Sequence, residues 1–412
     1  MVTTMRPANI ILSTMCGFCL PLFINLPEIN ETMKVAFVTD THFGYRRFEK
    51  DALEQGREAI LSAAREADLI ILGGDNFDTP LPRMETLAEV TKILREAQEI
   101  YLSKSVKKAP IFAIHGNHDR RAKGFVHPTE LLAHSGLLES VHNRTFLFEK
   151  DGETVAISGM GNVPDDLAKE GIGKLACKPV SGAFNIFVLH QSFQEFDIAK
   201  NEQLVSYDDL PEGFDLYLCG HIHKSNLSRK VLNPGSTVVT QLREDEVGER
   251  GWLLYDTKEK SARFMPVESR RLFYSALVFD KATPEEVRAR AIAEAEMLKK
   301  SANGERPPLV RIVLKGTLAE GFHSADLRMP ELGDDVFIDN ALNSSNLRER
   351  IAQIKLSREK KQGSKELGMQ LLRKRLEGTP YALGDPEKVF EMLLDGSFLA
   401  GIKEKIEKNG KS

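Results

Sequence analysis

Five short blocks hold most of the residues in this chain that could do chemistry. They are Asp40-Thr-His42, Gly73-Gly-Asp75-Asn-Phe-Asp78, Gly116-Asn117-His118-Asp119, a solitary His190, and Gly220-His221-Ile-His223. Together they offer carboxylates, an amide and imidazoles, with no thiolate among them. Such nitrogen and oxygen donors favour Mn, Fe or Zn over Cu(I) or an iron–sulfur cluster. Taken singly, each block has a plainer reading. Asp-x-His can be a turn, Gly-Asp a helix cap, and one histidine a hydrogen-bonded core residue. Their placement sets them apart, because each follows a short apolar run of strand character: Met33–Thr39, Leu69–Leu72, Ile111–Ile114, Ile186–Leu189 and Leu216–Leu218. In open α/β sheets the carboxyl ends of the strands line the crevice that binds ligands. Five strand ends therefore deliver these groups to one rim. Two cations about 3.5–4 Å apart need a bridging carboxylate, and Asp75 is the natural bridge.

The elements that must position these groups alternate along the chain. Val155–Ile157 is a further apolar run, and Phe48–Ala67 and Met84–Glu99 have helical patterning between strands. This is a layered α/β pattern. At 412 residues the chain exceeds one ordinary core. A second region begins near Glu268, with strands at Leu272–Phe279, Leu309–Leu314 and Val336–Asp339. Thr283 with Glu286 forms a capping box that opens a helix running to about Lys300. From about Leu347 the chain is helical and rich in charge. Leu367, Leu371 and Leu372 share one face, and Val389, Phe390, Leu393 and Leu394 another. Two short amphipathic helices cannot bury both stripes alone. The expected organisation is an extension over 1–32, the site-bearing domain over 33–265, a small α+β domain over 266–340, and a linker with helices over 341–412.

Composition narrows the class. Apolar residues at 42% and charged residues at 28% exclude a disordered tail and a membrane bundle. A net charge of −4 gives no global attraction to nucleic acid, so such a partner would need local basic patches and bound metal. Four cysteines form no disulfide framework in a chain this long, which fits a reducing compartment. Cys16-Gly-Phe-Cys19 has redox-motif spacing without a βαβ unit around it. Residues 7–27 are uncharged and could be a signal peptide or an anchor. Pro21 and Gly17 interrupt that stretch, and an extension outside the folded domain is the favoured reading.

The ordered set D-x-H, G-D-x-x-D, G-N-H-D, H and G-H-x-H resembles the calcineurin-like metallophosphoesterase superfamily over about residues 33–240. The resemblance implies a layered α/β metallophosphoesterase sandwich with a small α+β cap domain and a helical C-terminal tail. It further implies that Asp40, His42, Asp75 and His223 hold one divalent cation, and that Asp75, Asn117, His190 and His221 hold the other. His118 is then free to stabilise the transition state or to protonate the leaving oxygen.

Finer cues look like the Mre-eleven/SbcD-type DNA double-strand-break repair nucleases. They are Thr39-Asp-Thr-His-Phe-Gly-Tyr45, Ala113-Ile-His-Gly-Asn-His-Asp119, and Asn233-Pro-Gly-Ser-Thr-Val-Val-Thr240. Ser364-Lys-Glu-Leu-Gly-Met369 and the following helices resemble the archaeal-type tail of that family. What this implies is a metal-dependent DNA exonuclease and endonuclease with two Mn2+ ions, acting on double-stranded ends and hairpins in the cytoplasm, near the nucleoid. The implied partners are a second copy of the chain and a Rad-fifty-type SMC-like ATPase that docks on the C-terminal helices. The region 266–340 would be the DNA-contacting cap. A dimer contact is expected from Arg83–Glu99 or His127–Leu138. Arg46, Arg47 and Arg243 are candidates for phosphate contacts, with Arg270 and Arg271 leading into the cap. The chain departs from the family at Asp78, where many members carry a histidine. A carboxylate does not donate a proton as imidazolium does, so Asp78 is expected to orient His118 or a ligand histidine. Two alternatives stay open: a general phosphodiesterase or phosphatase on nucleotides, and a scaffold that tethers DNA ends.

Overall fold

Val35 and Phe37 point to one side of their strand and Ala36 and Val38 to the other, and all four are fully buried. A strand buried on both faces reads as a continuous apolar run, and it belongs in the middle of a layered structure. The computed structural model describes residues 32–344, apart from 105–109, 123, 197–200, 202, 228–229 and 303–305. Residues 7–27, Cys16 and Cys19, and both C-terminal amphipathic stretches lie outside the described residues.

The chain runs β1 (Lys34–Val38), α1 (Glu49–Glu66), β2 (Leu69–Gly73), α2 (Met84–Ser103), β3 (Ile111–Ile114), α3 (Pro128–His134), β4 (Glu139–Ser140), β5 (Thr145–Lys150), β6 (Glu153–Met160) and α4 (Asp165–Gly173). It continues through β7 (Phe184–His190), β8 (Leu216–Gly220), β9 (Val231–Leu232), β10 (Gly251–Asp256), β11 (Ser261–Pro266), β12 (Leu272–Ala282), α5 (Pro284–Lys300), β13 (Leu309–Leu318) and β14 (Val336–Ser344). One sheet has the order β11-β10-β1-β2-β3-β4, a second β5-β6-β7-β8-β9, and a third β12-β13-β14.

The first two sheets pack face to face. Phe37, Ile71 and Ile114 meet Ile157, Val188 and Leu218 in one buried layer. Helices α1 and α2 cover the outer face of the first sheet through Ala36, Val38, Ile70 and Leu72. Phe187, Leu189 and Cys219 form the outer core of the second sheet with α4 and its loops. The layered α/β sandwich expected from the alternating pattern is therefore what forms. Strands β1, β2 and β3 are parallel, as are β7 and β8, so the ends that carry the motifs emerge on one side.

Five strands were not foreseen: β4, β5, β9, β10 and β11. The turn between β5 and β6 has a clear chemical signal. Asp151 and Gly152 have φ of 51° and 83°, the two positive values that a type I′ hairpin demands. The third sheet is wholly parallel, with α5 as the crossover between β12 and β13. Thr283 caps α5 by accepting from the Glu286 amide, as the sequence predicts. Among the described residues no helix is long and apolar enough to cross a membrane.

Candidate metal centre

The loops after β1, β2 and β8 hold their functional residues in strained backbone. Asp40, His42, Asp75 and His221 have φ of 52°, 46°, 45° and 84°. Non-glycine residues adopt such values only where their surroundings enforce them. Here the loops brace one another. The Asp40 amide donates to Gly74 O at 3.1 Å, and the His42 amide to Asp75 O at 3.0 Å. The His221 amide donates to both Asp40 carboxylate oxygens at 3.1 Å. Gly74 has φ of 94°, and a Cβ there would stand 2.5 Å from His190 Nδ1. A Cβ on Gly116 would stand 2.1 Å from Asp75 Oδ1. Glycine beside the site thus makes room for the functional groups themselves.

These loops bring seven sequence-predicted residues around one pocket. Asp75 Oδ2 lies 3.3 Å from His190 Nε2 and 3.9 Å from His42 Nε2. On one side, His42 Nε2 and His223 Nε2 face each other at 3.2 Å, with Asp40 Oδ1 3.7 Å from His223 Nε2. On the other, Asn117 Oδ1 lies 3.1 Å from His190 Nε2 and 2.8 Å from His221 Nδ1. Asp40, His42 and His223 form one group whose ligand atoms lie within 4.8 Å of one another, and Asp75, His190 and His221 form another.

The donor set fits divalent cations by a specific test. Three histidines have the outward ring nitrogen anchored. His42 Nδ1 is 3.1 Å from Asp78, His190 Nδ1 is 2.8 Å from Gly73 O, and His223 Nδ1 is 2.9 Å from Glu246. Each therefore turns its Nε2 inward, which is the orientation that metal-ligating imidazoles require. Burial opposes ionisation of Asp75, yet the neighbouring His190 and His42 rings hold its carboxyl well below the usual range.

His118 stands apart from these groups, at the exposed mouth of the pocket. Its amide donates to Asp75 Oδ1 at 2.7 Å. Its ring nitrogen Nδ1 is 3.2 Å from Asp78 O and 3.4 Å from Asp78 Oδ1. The Asp78 hydrogen bond raises the His118 pKa to about 9 against the opposing effect of burial. Burial works against the charge on Asp78, but its bonds to His118 and His42 prevail and lower its pKa to about 2.

Two supporting acids were not among the candidate site residues, and only Asp119 lay in a motif. Glu246 is 2% exposed and accepts from the Thr240 amide at 2.9 Å and the Gln241 amide at 3.1 Å while holding His223. It ends a short 3-10 turn, Glu244–Glu246, and only the fold reveals its partner. Asp119 closes the third motif, and its role is backbone support. It accepts from the Gly116 amide at 2.6 Å and the Asn76 amide at 3.1 Å, and burial raises its pKa to about 6.

The arginine candidates are distributed differently. Arg46 is exposed. Arg47 lays its guanidinium over the Phe337 ring at 4.3 Å. Arg243 is exposed and pairs with Asp245 at 3.2 Å. Arg270 is engaged at the junction with the third sheet, paired with Asp51 at 3.3 Å and with Asp335.

A layered α/β sandwich gathers carboxylates, an amide and imidazoles at its strand ends, a donor set suited to divalent cations. Residues 33–225 match the family profile described as calcineurin-like phosphoesterase. Among curated proteins the chain is 26% identical to the double-strand break repair protein mre-11 of Caenorhabditis elegans, over 62% of this chain and 44% of the relative. It is 25% identical to the Mus musculus MRE11 protein, over 59% of this chain and 42% of the relative. It is 25% identical to the DNA double-strand break repair protein Mre11 of Sulfolobus acidocaldarius, over 69% of this chain and 76% of that protein. The chain thus spans less than half the length of the first two relatives.

Proposed function

We propose that the chain is a metal-dependent DNA nuclease of double-strand-break repair. The observation that carries this reading is the place of Asp75 Oδ2, between His190 and His42 at 3.3 and 3.9 Å, where one carboxylate can serve two cations. Asp40, His42, Asp75 and His223 would hold one cation, and Asp75, Asn117, His190 and His221 the other. The nitrogen and oxygen donors suit Mn2+. Bound there, the cations would supply Lewis-acid stabilisation of the phosphoryl oxygens and activate the attacking water.

His118 is the general acid. Asp78 keeps its imidazole protonated through neutral pH, and exposure at the mouth lets it reach a leaving oxygen. Asp78 is held ionised. It cannot give a proton, so it acts by orienting His118 and His42.

The relatives named as double-strand break repair proteins support DNA as the substrate. The unit 266–340 is the proposed DNA-contacting cap, and Arg46 and Arg243 are solvent-facing candidates for phosphate. The C-terminal helices, outside the described residues, are the proposed dock for a Rad-fifty-type ATPase. Exposed Leu81 and Met84 at the start of α2, and Phe125 and Leu131 at α3, support a homodimer face. The test is Mn2+-dependent cleavage of linear duplex DNA against cleavage of a cyclic dinucleotide. Preferred hydrolysis of duplex DNA is expected. Activity confined to the small substrate favours the general phosphodiesterase reading instead.

A further inference from the structure

The two candidate cation positions are held by different parts of the molecule. Around Asn117, His190 and His221 the supports belong to the two large sheets and their loops. His190 Nδ1 meets Gly73 O at 2.8 Å, Asn162 Nδ2 donates to His190 O at 3.1 Å, and Asp119 ties Gly116 to Asn76.

Around Asp40, His42 and His223 some supports stay in the sandwich loops, such as Asp78 on His42 and Gly74 O on the Asp40 amide, and others lead away from it. The Tyr45 amide donates to His42 O at 2.9 Å. The Tyr45 hydroxyl donates to Thr240 O. Thr240 Oγ1 in turn lies 2.7 Å from His223 Nδ1 and donates to Glu246 at 3.0 Å. Both arms then enter one apolar cluster. Phe48, Val239 and Leu242 are buried there with Leu272 of β12 and Leu309 of β13, and Tyr45 and Phe337 of β14 pack against it. The Phe48 ring meets Tyr45 at 6.0 Å and Phe337 at 6.2 Å, edge to face. Nearby ion pairs fasten the same junction: Arg270 with Asp51 and Asp335, and Arg306 with Glu54 at 2.9 Å and with Asp51 at 3.7 Å.

We propose that the docking of the β12–β14 unit sets the cation affinity of the Asp40–His42–His223 position and leaves the Asn117–His190–His221 position unchanged. Packed side chains move in discrete steps rather than yielding smoothly. A shift of Phe337 is therefore passed to Phe48 and Tyr45, and from there to the partners of His42 and His223. The inference rests on the two-cation reading above. Tyr45, Phe48 and Phe337 are positioning residues in it, since they act through other groups.

The test is calorimetric titration of the full chain with Mn2+. The wild type is expected to bind two cations in two steps. Phe337→Ala should weaken one step by about 10-fold or more, the range for lost outer partners of metal ligands, and leave the other within about 2-fold. In a His223→Ala background, where the coupled position has lost a ligand, Phe337→Ala should have no further effect. Equal weakening of both steps, or no change in either, overturns the coupling and leaves the two-cation reading intact. A wild-type chain that binds fewer than two cations overturns that reading and the coupling with it. Should Phe337→Ala fail to fold by circular dichroism, Tyr45→Phe removes only the hydroxyl on Thr240 O and decides the matter by the same criterion.

Discussion

Asp78 holds the ring of His118 from two sides, with its main-chain carbonyl 3.2 Å and its carboxylate 3.4 Å from His118 Nδ1. The carboxylate also lies 3.1 Å from His42 Nδ1, so one side chain links the proposed proton donor to a candidate ligand histidine. In the metal-free protein the His118 ring should therefore titrate near pH 9. The pKa is raised above the unfolded value, so this interaction stabilises the fold fully below the ordinary histidine pKa and is lost as pH rises through about 9. Histidine proton shifts measured by NMR would follow it. Asp78→Asn should return the ring towards the ordinary range, and an unmoved titration would remove Asp78 as the cause.

His118→Ala separates chemistry from assembly. The ring meets the His42 ring edge to face at 4.8 Å but is not among the proposed ligands, and it is about two-fifths exposed. Metal content and thermal stability should stay near wild type. Cleavage of duplex DNA should fall by about 10²–10⁴-fold, the usual contribution of a general acid. Single-turnover rates with metal analysis on the same preparation would check both halves. Unaltered cleavage would strip His118 of its role.

The gathering of the candidate ligands was legible before the fold because each residue sits at the end of an apolar run, and that pattern is local. The same local reading located α5 through its Thr283–Glu286 box and the long strands of the cap. Glu246 was not legible: nothing in Glu244-Asp-Glu246 distinguishes the one carboxylate that turns inward to His223. Its role comes from a contact across 23 residues, with Arg250 beside it at 3.6 Å. Arg47 and Arg270 show the converse. As bare sequence they are cations free to meet phosphate, yet aromatic and acidic partners at the cap junction occupy them.

Asp75 and Asn117 should differ in what their loss removes. Asp75 faces ligands of both groups, whereas Asn117 touches only His190 and His221. Asp75→Asn should therefore abolish binding of both Mn2+ ions at micromolar concentrations, and Asn117→Ala should abolish one. Atomic-absorption analysis after equilibrium dialysis gives the stoichiometry directly. Retention of both ions by Asp75→Asn would refute the shared bridge.

Met84 opens α2 and Leu81 lies just before it, with 74% and 69% of their surface exposed, and Phe125 adds 58% shortly before α3. Apolar groups this exposed suit a symmetric contact between two copies. Met84→Glu would place like charges opposite each other across such a face. The expected result is a shift from dimer to monomer in sedimentation, with the far-ultraviolet spectrum unchanged. A chain that sediments identically before and after the change would move the dimer face elsewhere.

Chelation should destabilise the fold, and the backbone says why. Asp40, His42, Asp75 and His221 all hold positive φ, each at a cost of about 1–3 kcal/mol. In the metal-free chain hydrogen bonds between the loops and the packing of their buried residues resist that strain. A cation bound by those loops adds about 2.7 kcal/mol when its concentration is 100 times its Kd, and a further ~1.4 kcal/mol for each tenfold increase. EDTA should lower Tm by several degrees, and Mn2+ should restore it along a logarithmic curve without saturating at one equivalent. The dependence on concentration is the informative part, because a cation bound equally well by the unfolded chain would leave Tm flat. A flat response would mean that the strained loops are held by the protein alone and that the proposed ligands do not gain their geometry from metal.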